Sequence, residues 1–255
     1  MTRLQTYFVA EENWRENEVS ITEDAHHIIR VMRYNIGDQI ICVHPDRKMA
    51  KCAITELNKQ DGIVRATIIE WLDVDNELPV NVTILQSLPK GNKLEFIIQK
   101  GTELGASRFF LFASERSIVK WDEKKVKNRL ERYEKIAKEA SEQAKRNMIP
   151  EILYVENLHD LLDNLNDVKG SKLIAYEDEA KREPATSLAT QLKNVETNGE
   201  ILVAIGPEGG FSEEEVKLFQ NNGFVPVRLG KRILRTETAP LYVLSAISYH
   251  FEELE

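Results

Sequence analysis

The sequence predicts an α/β protein: a mostly parallel, helix-covered sheet preceded by a small β-rich unit. Three observations carry that expectation. From residue 80 onward, short apolar stretches alternate with amphipathic helical ones, as in βαβ units whose sheet is covered on both faces. Residues 1 to 72 carry short Ile- and Val-rich stretches separated by polar turns. In the C-terminal third, two apolar strands each run into a Gly-bearing loop that opens a helix.

In the N-terminal part, strands are expected at QIICVH, KMAKCAITEL and GIVRATIIEWL, with Pro45-Asp46 and Asp61-Gly62 in the turns. A helix is expected over Glu23 to Arg33, capped by Thr22, with Ala25, Ile28, Ile29 and Met32 on one face. The acidic stretch Asp73 to Pro79 reads as a linker, which places the domains at 1–72 and 73–255. Beyond it, strands are expected at Val82–Leu88, Phe109–Phe112, Lys172–Tyr176, Ile201–Ile205 and Val225–Leu229. The intervening helices are Asn92–Leu104, Asp122–Asn147, Ser212–Asn222 and Thr238–Leu254. Ser212 and Glu215 have capping-box spacing, and Gly223 supplies a helix stop.

Apolar content of 42% fits an ordinary globular chain, and no apolar run approaches the ~18–20 residues of a membrane span. The start, MTRLQTYFVAEENW, has no apolar signal region, so a cytoplasmic protein is expected. Cys42 and Cys52 lie in strand-like stretches outside any C-x-x-C or Cys/His cluster, and read as buried thiols rather than a disulfide or metal site. The net charge is −8, but residues 86 to 150 carry fifteen Lys and Arg against nine acids. Such a basic segment suits an RNA-facing surface or an ordinary solvated helix face equally well.

Ile201 to Ile205 leads into Gly206-Pro207-Glu208-Gly209-Gly210-Phe211, and a second strand leads into Leu229-Gly230-Lys231-Arg232-Ile233-Leu234-Arg235-Thr236-Glu237-Thr238-Ala239. In open α/β sheets ligands sit outside the carboxyl ends of strands, and Gly lets the backbone approach them. Neither G-x-x-x-x-G-K-[ST] nor G-x-G-x-x-G occurs, and Glu208 suits a neutral or cationic ligand better than a polyphosphate. Taken alone, GPEGG reads better as a tight strand-to-helix turn, because short Gly motifs are common.

The two loops together resemble those of the RsmE family, bacterial enzymes that methylate N3 of a uridine in small-subunit ribosomal RNA and belong to the knotted SPOUT superfamily. The resemblance extends over Arg3, Tyr7-Phe8-Val9, His27, Val31, Arg33 and Gly37-Asp38, then Lys93-Leu94-Glu95-Phe96, Gln99-Lys100 and Glu103-Leu104-Gly105. It continues through Ser114-Glu115-Arg116-Ser117, Glu142-Gln143, Arg146 and Pro150-Glu151-Ile152.

The resemblance implies a trefoil-knotted methyltransferase domain behind a PUA-like β-barrel, with S-adenosylmethionine as methyl donor. It implies a donor pocket built from Tyr176, Glu177, Gly206, Pro207, Gly210, Leu229, Gly230, Ile233, Leu234, Thr238 and Ala239. For the acceptor, Arg235 would stabilise the uracil anion or position the base, with Glu237 or Glu142 as general base. A purely structural part for each of these three is also open. Arg3, Arg30, Arg33, Arg116 and Arg146 are candidate contacts to 16S ribosomal RNA, and Lys48 joins them in the N-terminal unit. A homodimer is expected through the C-terminal helix, whose Val243, Leu244, Ile247 and Phe251 equally suit a core helix; neither a metal nor a membrane is expected. The alternatives are a related enzyme acting on another RNA nucleotide and a non-catalytic RNA-binding assembly factor.

Overall fold

The structure, a computed structural model, describes residues 4–119, 121–176 and 186–254. Arg3 and Glu177 lie outside the described residues. The chain forms two compact units, Met1–Glu77 with Ser141–Met148, and Leu78–Ala140 with Ile149–Glu255.

In the first unit, β1 (Thr6–Phe8), β2 (Glu18–Ile21), β3 (Gln39–Val43), β4 (Met49–Asn58) and β5 (Ile63–Leu72) form one sheet in the order β1-β3-β4-β5-β2. β1 runs parallel to β3, and the other pairs are antiparallel. Alternate residues Ile40 and Cys42, Cys52 and Ile54, and Val64 and Ala66 enter one core with Tyr7, Val19 and Ile28. The helix expected over Glu23 to Arg33 is shorter: it begins at Ala25 and is π-helical over His27–Val31. The amide of Met32 donates to the carbonyl of His27, and Arg33 then turns the chain with φ 55°. This β-branched stretch has modest helix propensity, and the wide turn suffices to sink Ala25 and Ile28 into the core.

The second unit holds β6 (Asn81–Ser87), α1 (Lys93–Glu103), β7 (Arg108–Ala113), α2 (Glu123–Ala144) except its last four residues, β8 (Glu151–Asn157), α3 (Leu158–Asn164), β9 (Ser171–Ala175), α4 (Leu188–Leu192), β10 (Glu200–Ile205), α5 (Glu213–Asn221), β11 (Val225–Val227) and α6 (Ala239–Ser248). Its six strands are all parallel, in the order β11-β9-β10-β6-β7-β8. Ile201, Val203 and Ile205 of β10 face a core shared with α1, α2, α4 and α6. Leu202 and Ala204 face the opposite core, with α3 and α5. Double-sided burial explains why these strands read as unbroken apolar runs.

Three differences from expectation have local causes. β8, α3 and α4 were not expected: β8 is an edge strand, α4 has five residues, and α3 is signalled only by Asn157, whose side chain caps it by accepting from the amides of His159 and Asp160. The helix expected to reach Asn147 ends at Ala144, because Lys145 adopts φ 56° and the amide of Arg146 donates to the carbonyl of Ser141. Val243, Leu244 and Ile247 are buried within the second unit, so on α6 the exposed apolar side chains are those of Tyr242 and, just beyond it, Tyr249.

Candidate functional site

Two loops at the carboxyl ends of β10 and β11 shape the site. After β10, Pro207 to Gly210 makes a tight turn, with the amide of Gly210 donating to the carbonyl of Pro207 at 3.0 Å. Gly210 sits at φ +66°, a conformation that disfavours other residues. A Cβ at Gly206 would stand 3.1 Å from the backbone of Gly210, so a side chain there would press on the loop and force it to give by a few tenths of an ångström. The turn feeds α5 through a complete capping box: Ser212 Oγ accepts from the amide of Glu215, and the Glu215 carboxylate accepts from the amide of Ser212. That same carboxylate also accepts from the amide of Glu115 at 2.8 Å, tying the loop after β7 to the helix start.

The second loop is fastened to the first from below. Thr236 Oγ1 donates to the carbonyl of Gly206 at 2.7 Å and accepts from Gln86 Nε2 at 3.1 Å. Gln86 is fully buried at the end of β6, and Thr236 is buried with it. The loop enters α6 with the amides of Thr238 and Ala239 both donating to the carbonyl of Arg235. Thr238 is the residue preceding α6 and makes no side-chain cap.

Between the loops lies a cavity of about 480 Å³ in the second unit. Ala175 and Tyr176 at the end of β9, Ile205 to Phe211 at the end of β10, and Leu229, Gly230, Arg232 to Thr236 and Ala239 after β11 line it, together with Lys93, Arg116 and Glu213. This is the crevice outside the carboxyl ends of the strands where α/β sheets hold ligands. Its walls mix backbone amides and carbonyls with the apolar side chains of Leu229, Ile233 and Leu234, which suits a flat, partly polar ligand. Ile233 is 73% exposed, and Arg235 is exposed as well.

Of the residues singled out in the sequence, Tyr176, Gly206, Pro207, Gly210, Leu229, Gly230, Ile233, Leu234, Arg235 and Ala239 come together at this cavity, with Arg116. Arg116 Nη1 donates to the carbonyl of Gly209 at 2.8 Å, so its guanidinium braces the first loop. Glu237 does not line the cavity; its carboxylate lies 3.1 Å from Lys93 Nζ. Thr238 stays outside too.

Glu142 and Arg146 fall in the Ser141–Met148 segment, which groups with the first unit. Arg146 is buried and paired with Glu77, whose carboxylate also accepts from the amides of Asn147 and Met148. A buried guanidinium committed to a carboxylate does not present itself to RNA. Arg30 and Arg33 are exposed on the first unit.

Sequence reasoning named Lys93 within the resemblance but gave it no role at the site. Its ammonium lies 2.8 Å from Glu208 and 3.1 Å from Glu237, and the amide of Lys90 also donates to Glu208. Hydrogen bonding to Glu208 holds the Lys93 pKa above its usual value, against the pull of burial. Burial alone would raise both carboxyls; the bonds to Lys93 and to backbone amides outweigh it and hold them below the usual glutamate range. Arg235 adds to that effect at Glu237. The available signal was its place just past β6, on the carboxyl-end rim of the sheet.

Among the described residues, no group of three or more His, Cys, Asp or Glu side chains could hold a metal ion, and no helix is long and apolar enough to cross a membrane. Residues 76–248 match the family described as RNA methyltransferase domain, and residues 22–66 the family described as RNA methyltransferase PUA domain. The chain is 45% identical to ribosomal RNA small subunit methyltransferase E of Bacillus subtilis, over 98% of each chain. Ribosomal RNA small subunit methyltransferase E from Neisseria gonorrhoeae, solved bound to S-adenosyl methionine, superposes with a TM-score of 0.84 at 29% identity, covering 99% of this chain and all of that one. A methyltransferase from Legionella pneumophila with bound S-adenosyl methionine gives 0.79 at 30% identity, over 98% of each chain.

Proposed function

The chain belongs to the ribosomal RNA small subunit methyltransferase E family, and on that premise we propose that it transfers the methyl group of S-adenosylmethionine to N3 of one uridine in 16S ribosomal RNA. One observation supports the reading most: the cavity outside β9, β10 and β11, walled by backbone groups of two Gly-bearing loops and by Leu229, Ile233 and Leu234. Leu229, Ile233 and Leu234 would hold the donor's adenine, with Gly206, Gly230 and Leu234 offering main-chain partners to its edge. The more polar rim would meet the donor's carboxylate and sulfonium.

In the transfer, N3 of uracil attacks the methyl carbon, the carbon–sulfur bond breaks, and the sulfonium becomes a neutral thioether. N3 must shed its proton first or at the same time. Arg235 stabilises the negative charge that this leaves on the uracil carbonyls. Glu237 is the remaining side-chain candidate for the proton, but Lys93 and Arg235 keep it ionised and weakly basic. Arg235 is therefore the residue on which turnover depends most.

The trefoil knot belongs to the same proposal. β10 lies between β6 and β9, β11 lies beyond β9, and Thr236 is pinned to Gly206 and Gln86, an arrangement consistent with the second loop being threaded past the first. The N-terminal region, assigned to residues 1–72, serves as a PUA-like RNA-binding barrel through Arg30, Arg33 and Lys48, and residues 73–255 carry the chemistry. The enzyme acts in the cytoplasm as a homodimer, with Tyr242 and Tyr249 on the face left open on α6 and its extension.

Calorimetry with S-adenosylmethionine, joined to mapping of 16S ribosomal RNA modifications in a gene-deletion strain, tests this. Donor binding and the disappearance of one N3-methyluridine are expected. Loss of a different modification would redirect the acceptor, and absence of donor binding would remove the enzymatic reading.

A further inference from the structure

We propose that Lys93 is a positioning residue that clasps the two cavity loops on one ammonium, gripping Glu208 of the first and Glu237 of the second, and so fixes the cavity in the shape that accepts its methyl donor. The inference rests on the reading that this cavity holds S-adenosylmethionine.

The geometry is specific. Lys93 opens α1, just past β6, and its side chain reaches Glu208 at 2.8 Å and Glu237 at 3.1 Å. All three side chains are one-third exposed or less, so solvent screens them less than a surface pair. Glu237 Oε2 is itself buried and has no aligned hydrogen-bond donor; the nearby ammonium is what compensates its charge. The other charged groups around the clasp are Arg116, Glu213, Arg232 and Arg235 on the cavity wall, while Lys90 adds a backbone amide to Glu208. Arg116 is bonded to the Gly209 carbonyl.

Without the ammonium, two carboxylates on separate loops would face each other with one of them desolvated. The loops must then part, or a carboxylate must take up a proton. Either outcome leaves the cavity floor intact, since Thr236, Gly206 and Gln86 hold it independently. The clasp therefore governs the rim, where the polar end of the donor sits.

The experiment uses the full chain with Lys93→Met, Glu237→Gln and the double variant. Chemical denaturation gives a cycle that needs no ligand. Lys93→Met is expected to cost more stability alone than in the Glu237→Gln background; equal costs would overturn the clasp. Calorimetry then reads donor affinity. Lys93→Met should bind S-adenosylmethionine about tenfold or more weakly at neutral pH, a loss of about 1.4 kcal/mol. Affinity should recover as the pH falls, while wild type shows no such recovery, and Glu237→Gln should restore most of it in the double variant. A merely structural lysine predicts lower affinity at every pH and no rescue, which would also overturn the proposal. If wild type binds no donor, the proposed function falls while the denaturation cycle still decides the clasp.

Discussion

Arg235 combines exposure at the cavity with a backbone carbonyl that receives the amides of Thr238 and Ala239. The side chain is thus free of the task of holding its own loop, which falls to Thr236 and to that carbonyl. Removing the guanidinium should therefore leave the pocket standing. We expect Arg235→Ala to keep near-normal S-adenosylmethionine affinity yet to methylate at least ~100-fold more slowly, the usual scale for losing one oxyanion-type donor. Arg235→Lys should recover part of the rate, because a point charge does not reproduce a planar fork. Single-turnover methylation and calorimetry on both variants check this; wild-type turnover in Arg235→Ala removes the catalytic assignment.

Titration of the clasp belongs to the same scale. Glu208 and Glu237 have folded pKa values below the ordinary 4.5, so their contribution to stability is present above 4.5 and is lost as pH falls through the lowered values. The Lys93 pKa is raised above 10.5, so its contribution is full below 10.5 and is lost as pH rises past the folded value. Stability measured against pH should fall off less steeply on the acid side in Glu237→Gln than in wild type. Superimposable acid limbs would mean that the native pairing does not lower the pKa of Glu237.

At the scale of elements, what could be read in advance tracks burial and length. β6, β7, β9 and β10 are buried on both faces, so their apolar runs stand out, and the Ser212–Glu215 capping box is a local pattern that the structure completes. β1 has three residues and α4 has five, too few to show a period. The two Gly-bearing loops were legible because close backbone approach demands Gly. The pairing of Lys93 with Glu208 was not, since the partners lie 115 positions apart and nothing local joins them. Nor could spacing reveal that α2 stops at Ala144, where Lys145 turns the chain with φ 56° and Arg146 pairs with Glu77. The first loop supplies its own test. Because a Cβ at Gly206 would press on the Gly210 backbone at 3.1 Å, Gly206→Val should displace that turn and abolish donor binding. The sheet beneath should keep most of its stability, at a cost of ~1–3 kcal/mol for overpacking. Unchanged affinity in a folded Gly206→Val protein would take this turn out of the donor site.

For the whole molecule, charge distribution matters more than its sum. A chain of net charge −8 has to meet a polyanion, and its basic residues concentrate between 86 and 150. Along α2, Tyr133, Ala137 and Ala140 are buried, while Lys124, Lys125 and Lys127 stand on the exposed side. Lys125 pairs with Asp122, both well exposed, an ion pair worth little in stability, so the charges are available at small cost. Arg129 and Arg132 are engaged, the one over the Trp121 ring and the other with Glu95, which makes the first turns of α2 the better phosphate-facing segment. Every ammonium withdrawn from a phosphate should lower the slope of log affinity against log salt by about 0.7 to 0.9. Changing Lys124, Lys125 and Lys127 to Glu should then weaken association with 16S ribosomal RNA and flatten its salt dependence, with donor affinity unchanged because none of the three lines the cavity. Filter binding across a salt series reads both quantities at once. If affinity and slope both stay at wild-type values, this face of α2 is solvated surface, and the RNA is held by other basic residues of the chain.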